Sequence, residues 1–365
     1  MHRIDSLDWQ RGLLAFAIMV YHLTSWEVHA LDASTVLGRL GIYGVSMFFV
    51  LSGLSMALVY NGYIRDAGSS LRFFVRRIAR IWPLLWVAVA FATGTAILAG
   101  QPPYWWLILV NLTTAFGFVD PAAYMNVGAW SIGNEMVYYA LTPFLILVYN
   151  RSLVVGNLLV LAAVLVGAWF AVDVLAPDRS LADQWALYIN PFNNLFLYCA
   201  GIALYYNFHD ARPGMGVVAG MFVVSVAAFL LYPVAGDQIR IVTGSCRLAF
   251  SVASVVLVFA FYKNTVALPA ILAVPLTRLG VMTYGVYLLH PIVYRTILFV
   301  EKKVDVQLPA VGMVGVTMTV TIVLAMVSLE VLEAPVVRIG KRVTSRGRST
   351  RGSCEALPEN DLGNA

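Results

Sequence analysis

Residues 40–60 read LGIYGVSMFFVLSGLSMALVY, an unbroken run without a charged side chain. A helix rises about 1.5 Å per residue, so a run of about 20 apolar residues crosses a hydrocarbon layer about 30 Å thick. Runs of similar character recur at 10–29, 78–99, 130–149, 153–175, 186–206, 215–235, 241–262, 272–299 and 309–333. Lipid offers the backbone no hydrogen-bond partners, so such runs adopt helices that satisfy their own peptide groups. The pattern predicts an all-α, polytopic transmembrane bundle of about ten helices.

Composition agrees. The 365 residues are 60% hydrophobic and 12% charged, with a mean hydropathy of +0.80, whereas soluble domains carry about 25% charge. No stretch has the charge density of an appended soluble domain. Residues 1–335 are read as one membrane domain, and 336–365, polar and at first basic, as a cytoplasmic tail without fixed structure whose basic part suits anionic headgroups. The net charge of +5 is small and its basic residues flank apolar runs, so no nucleic-acid partner is expected. Cys199, Cys246 and Cys354 lack metal-site or disulfide-framework spacing, and no metal is expected. The first run resembles a signal peptide only superficially. It follows Asp5 and Asp8 and contains Arg11 and His22, so it is read as the first membrane helix.

Lysines and arginines set the orientation. With the N-terminus inside, Arg3, Arg11, Arg65, Arg72, Arg76, Arg77, Arg80, Arg151, Arg212, Lys263 and the basic tail fall on the cytoplasmic side. Arg39, Arg179, Arg240, Lys302 and Lys303 fall opposite. Both termini are therefore expected in the cytoplasm, with the chain in a bacterial inner membrane. Residues 101–129 are apolar only over a short piece opened by Tyr104, Trp105 and Trp106. Counting them as a span would reverse everything downstream, so a re-entrant or interfacial segment is expected, and a vestibule is placed there.

Four constellations carry chemistry. Arg11 and His22 are eleven residues apart, about three whole turns, so they share a helix face about 16 Å apart along the axis. Arg11 is placed at the cytoplasmic boundary and His22 near mid-bilayer. Ionisable groups at that depth face an interior cavity, and a neutral imidazole there is suited to take a proton or to carry an acyl group. The second constellation is the basic cluster Arg72, Arg76, Arg77 and Arg80 ahead of Pro83. Arg77 and Arg80, three apart, share a face, and arginine forks bind phosphates; a lipid or topogenic anchor explains the same cluster. The third runs from Trp130 through Ser131 and Asn134 to Glu135, whose carboxylate is expected to face the interior and to orient an imidazole, act as a base or pair with an arginine. The fourth places Tyr284 and His290 before Pro291, where a substrate contact and a structural histidine fit equally. Ser46, Ser52 and Ser55 look like packing residues beside Gly44 and Gly53.

These signatures, in this order, resemble the acyltransferase-3 family of membrane O-acyltransferases, which decorate lipopolysaccharide, exopolysaccharide, peptidoglycan and related glycans. Leu7-Asp8-Trp9-Gln10-Arg11-Gly12, with His22 ten residues beyond Arg11, is similar to the family's L-D-x-x-R-G and R-x10-H. Residues 44–53, GVSMFFVLSG, match its second motif; Arg77 and Arg80 with Pro83 its R-x-x-R…P; Trp130 to Glu135 its W-S-x-x-x-E; and Tyr284 to Pro291 its Y-x-x-Y-L-L-H-x-P. Trp9 and Gln10 depart from the small or apolar residues usual before the arginine. The matches reach from the first expected helix to the ninth.

The resemblance implies an interior catalytic cavity with His22 as the essential catalytic residue, Arg11 close by and Glu135 in support. It also implies Arg77 and Arg80, with Arg76 beside them, as the site for acetyl-CoA or another acyl-CoA on the cytoplasmic side. Trp130, Ser131, Asn134, Tyr284 and His290 are then expected to contact substrate. The expected reaction moves an acyl group, acetyl in the first instance and succinyl in the second, to a sugar hydroxyl of a lipopolysaccharide, exopolysaccharide or lipid-linked glycan, or hands it to a separate periplasmic acyl-accepting partner. A transporter or flippase is the rival class; it predicts repeat symmetry between halves, and the sequence has none.

Overall fold

The computed structural model describes residues 4–345, and every expected run is helical. The α-helices are α1 (Asp5–Glu27), α2 (Val36–Tyr60), α3 (Ala67–Leu98), α4 (Trp105–Leu112), α5 (Phe116–Val119), α6 (Ala129–Arg151), α7 (Leu153–Trp169), α8 (Trp185–Tyr188), α9 (Pro191–Phe208), α10 (Met215–Leu231), α11 (Ile239–Val242), α12 (Gly244–Lys263), α13 (Ala270–Val281), α14 (Thr283–Val304), α15 (Ala310–Ser328) and α16 (Ala334–Ser345). Single π-turns, Phe170–Val174 and Leu329–Glu333, follow α7 and α15.

Among the described residues, six helices are long and apolar enough to cross a membrane, or seven when α13 and α14, bent by 70°, count as one span. The expectation of about ten is higher for a physical reason. α1 carries Asp5, Asp8, Arg11 and Glu27, α9 carries Asn193 and Asn194, and α10 is only 17 residues long. α1 and α9 carry these polar groups on helices largely covered by protein, whereas α10 is apolar and largely exposed and falls short in length alone. Residues 101–129 hold only α4 and α5, with eight and four residues, so no helix crosses there. Asn111 braces this segment by donating to the Ala123 carbonyl at 2.7 Å and accepting from the Met125 backbone at 3.0 Å. Of the tail expected from 336, residues 336–345 belong to the helix α16; the remainder, with Cys354, lies outside the described residues. Asp66 caps α3, and its hydrogen bonds from the Ser69 backbone and hydroxyl hold its carboxyl below the usual carboxylate range.

Two buried arginines tie loops to this frame. Arg39, placed on the outer side by the charge count, is 3% exposed. Its guanidinium donates to the carbonyls of Ala33, Phe229, Tyr232 and Val234 at 2.8–3.1 Å, closing the end of α10. Arg247 donates to Val242 and Asn193 carbonyls at 3.1 and 2.7 Å.

α2 and α9 cross in direct backbone contact. A Cβ on Gly53 would stand 2.0 Å from the Tyr198 carbonyl oxygen, and one on Gly201 would stand 2.0 Å from that of Val50. In lipid, where apolar side chains gain nothing by meeting one another, such small-residue approaches hold helices together. Gly53→Ala is expected to destabilise the fold by about 3 kcal/mol or more, read as a lower melting temperature in detergent. Gly216→Ala, where a Cβ meets nothing within 4 Å, should leave melting unchanged.

Candidate active site

α1 and α14 bring two histidines together across 268 residues of sequence. His22 Nδ1 and His290 Nε2 lie 2.9 Å apart, with ring centroids 5.1 Å apart and planes 17° from parallel. His290 Nδ1 lies 3.0 Å from the Val286 carbonyl oxygen. A carbonyl only accepts, so His290 Nδ1 carries a proton, and in the neutral ring its Nε2 holds a lone pair. His22 Nδ1–H must then be the donor to that lone pair. The consequence is chemical: His22 Nε2 is left as an unprotonated, basic nitrogen. His290, 1% exposed, thus orients His22. Glu135, expected as a candidate for that task, does not touch it.

His22 lies in the last turn and a half of α1, which begins at Asp5 and ends at Glu27. One turn further, the Trp26 ring stacks on the His22 ring at 5.1 Å and 8°.

Arg11 shares the face of His22 but not its contacts. Its Nη1 pairs with Asp8 Oδ1 at 3.0 Å, and its Nη2 donates to the Ser55 hydroxyl. The three turns between arginine and histidine place the two at different depths.

Glu135 heads a second cluster. Its Oε1 accepts from Ser52 Oγ and from Tyr139 Oη, each at 2.5 Å. The Arg77 guanidinium, 4% exposed, lies 5.3 Å from the Tyr60 ring and 5.7 Å from the Tyr139 ring, and donates to Tyr60 Oη at 2.9 Å. Arg80 pairs with Glu333 at 3.4 Å and keeps 24% of its side chain exposed. Arg76 points elsewhere, over Tyr63 at 4.6 Å and to Thr344 Oγ1 of α16 at 2.8 Å. Ser52 and Ser55, expected as packing residues, are instead polar partners of Glu135 and Arg11.

α14 joins the clusters. Tyr284, Tyr287 and His290 follow one another at three-residue intervals on one helix face, spanning about 9 Å. Tyr284 Oη donates to the Ile81 carbonyl at 2.7 Å beside Arg80, Tyr287 meets Ser131 Oγ at 3.0 Å, and the Tyr287 and His290 rings are 6.2 Å apart.

Of the other expected substrate contacts, Trp130 is packed edge-on against Phe49, Trp185 and Tyr188. Ser131 is satisfied by Tyr287 and the Gly128 carbonyl. Asn134 is fully buried and neither side-chain amide atom has a hydrogen-bond partner, a cost of about 1–3 kcal/mol for each group. Sequence reading missed Trp26, Ser52, Tyr139, Tyr294 and Glu333. Trp26 and Tyr294 were within reach, each lying four residues after a histidine and so on its face; the others depend on which helices meet.

Comparison with known proteins accords with these motifs. The acyltransferase-3 model of an acyltransferase domain matches residues 4–329. The chain belongs to the acyltransferase-3 family. The acyltransferase is 27% identical to nodulation protein 10 of Rhizobium leguminosarum bv. viciae, over 94% of this chain and 96% of that protein. It is 26% identical to the exopolysaccharide production protein ExoZ of Rhizobium meliloti, over 87% of this chain and 96% of that protein. Identity to the peptidoglycan O-acetyltransferase OatA of Listeria monocytogenes is 23%, over 92% of this chain but 56% of that longer protein. No solved structure matches the acyltransferase significantly. It is a multi-pass membrane acyltransferase.

Proposed function

We propose that this acyltransferase moves an acetyl group from acetyl-CoA to a sugar hydroxyl of an envelope or secreted glycan, with His22 Nε2 as the base. The observation that carries this reading is the Val286–His290–His22 hydrogen-bond chain, which leaves that nitrogen with its lone pair. The names of the relatives, which include a peptidoglycan O-acetyltransferase and an exopolysaccharide production protein, favour acetyl and a glycan.

The Asp5 end of α1 faces the cytoplasm in this reading, as the arginines of α3 require. Coenzyme A phosphates bind at Arg80 and Arg77, and the arm passes Ser52, Glu135 and Tyr284 toward His22. His22 Nε2 takes the proton of the sugar hydroxyl as that oxygen attacks the thioester carbonyl. The C–S bond breaks, the coenzyme thiolate leaves, and the proton passes from His22 to it. The same lone pair also permits transient acylation of His22. The two routes separate in a test without acceptor, since only the second leaves label on the protein.

Purified protein in nanodiscs, given [14C]acetyl-CoA and succinyl-CoA in separate reactions, tests the reading together with mass spectrometry of glycans from a strain lacking the chain. Loss of an acetyl mass from a glycan supports it. Uptake of a solute without acyl-CoA turnover would establish a transporter instead. Arg80→Gln, which removes the partly exposed charge, should raise KM for acetyl-CoA about tenfold and change kcat little. An unchanged KM would remove Arg80 from the donor site.

A further inference from the structure

The histidine pair is the first rung of a longer ladder. His22 and Trp26 lie four residues apart on α1, and His290 and Tyr294 four apart on α14, so each pair occupies one helix face. The two helices run side by side in the same direction, because the pairs meet rung by rung. His22 faces His290, and the Trp26 and Tyr294 rings lie 4.8 Å apart with planes 31° from parallel. The second rung sits about 6 Å beyond the first, toward the Glu27 end of α1. Tyr294 Oη donates to Glu27 Oε1 at 2.6 Å. Trp26, Glu27, Tyr294 and His22 are all half-buried rather than sealed into the core. The Trp26 indole N–H has no hydrogen-bond partner among the described residues.

We propose that Trp26, Tyr294 and Glu27 form the subsite for the acceptor, a neutral glycosyl unit that stacks on the aromatic rung and offers a hydroxyl to His22 Nε2. This rests on the function proposed above and specifies its acceptor. The C–H bonds on one face of a pyranose carry partial positive charge and pack against the electron-rich face of an aromatic ring. The indole N–H and the remaining lone pairs of Glu27 supply the polar contacts that fix a sugar's register. A ring seated on this rung is one helical turn from His22, the reach of a single sugar hydroxyl. The carboxylate beside it sets the charge class: a uronosyl unit would bring a second negative charge close to Glu27 and be repelled. The donor cluster of Arg77, Arg80 and Glu135 lies toward the other end of α14, so the two substrates approach His22 from opposite ends.

The test uses the full chain in nanodiscs for acetyl-CoA affinity by titration calorimetry, and a strain lacking the chain, complemented with each variant, for glycan acylation by mass spectrometry. Trp26→Ala and Glu27→Gln are expected to lower acylated glycan at least tenfold while the Kd for acetyl-CoA moves less than twofold. Trp26→Phe, which keeps a stacking face, should recover most of the acylation, and Trp26→Leu should not. In the wild-type glycan the acyl group should sit on neutral hexosyl or hexosaminyl residues. Equal recovery by Phe and Leu, unchanged acylation in Trp26→Ala, a parallel loss of acetyl-CoA affinity, or an acyl mark on uronosyl residues would each overturn the proposal. A wild-type strain with no acyl mark that depends on this chain would instead defeat the underlying function.

Discussion

His22→Ala is expected to lower kcat for acyl transfer at least about 10³-fold, with KM for acetyl-CoA unchanged within about twofold. General-base catalysis contributes about 10²–10⁴ in rate, and an interaction that acts only on the reacting proton appears in kcat rather than in donor binding. His22 Nε2 is the lone-pair nitrogen left by the chain through His290. Steady-state rates of [14C]acetyl transfer in nanodiscs, followed against acetyl-CoA concentration, give both constants. A His22→Ala enzyme that retains more than a tenth of wild-type kcat would remove His22 from the chemistry. His22→Gln should be as inactive as the alanine variant, because an amide keeps a donor for His290 but has no basic nitrogen.

The second large effect is assigned to His290. His290→Ala should lower kcat about 10²-fold without shifting either KM, since removing the acceptor at 2.9 Å frees His22 to adopt the other tautomer and turn away. Outer partners that fix the tautomer and ring orientation of a functional histidine cost about 10–100-fold when removed, by analogy with metal-site ligands. His290→Gln offers a carbonyl oxygen in nearly the same place and should restore about tenfold over alanine; His290→Leu should not. Had His290 contacted the acceptor directly, its loss would raise acceptor KM, and glutamine would have no advantage over leucine. The pattern across the three variants therefore separates positioning from binding.

Parts of this site were legible in the sequence, each for a physical reason. Arg11 and His22 fall on one face by the helical repeat alone, and the structure keeps both on α1. Arg77 and Arg80 likewise share a face of α3. What those side chains touch was not legible. Arg11 finds Ser55 of α2 rather than His22, and Glu135 finds Ser52 and Tyr139 rather than an imidazole. Arg80 meets Glu333, 253 residues away and in a π-turn, where no local pattern marks a carboxylate as buried. Arg39 reads as an outer-side charge because it stands immediately before the apolar run 40–60. Its burial follows from the end of α10, which arrives nearly 200 residues later with carbonyls that lack helical partners.

The sequence by itself determined that this chain is a bundle of membrane helices, since runs of apolar length must satisfy their peptide groups internally, and it placed the ionisable residues on helix faces through a fixed 3.6-residue period. Which faces meet was decided only in three dimensions. Helix packing follows the close approach of small residues, as at Gly53 and Gly201, and those contacts join segments that lie far apart along the chain. His290 became the partner of His22 because α14 packs beside α1, and that contact decides which nitrogen is basic.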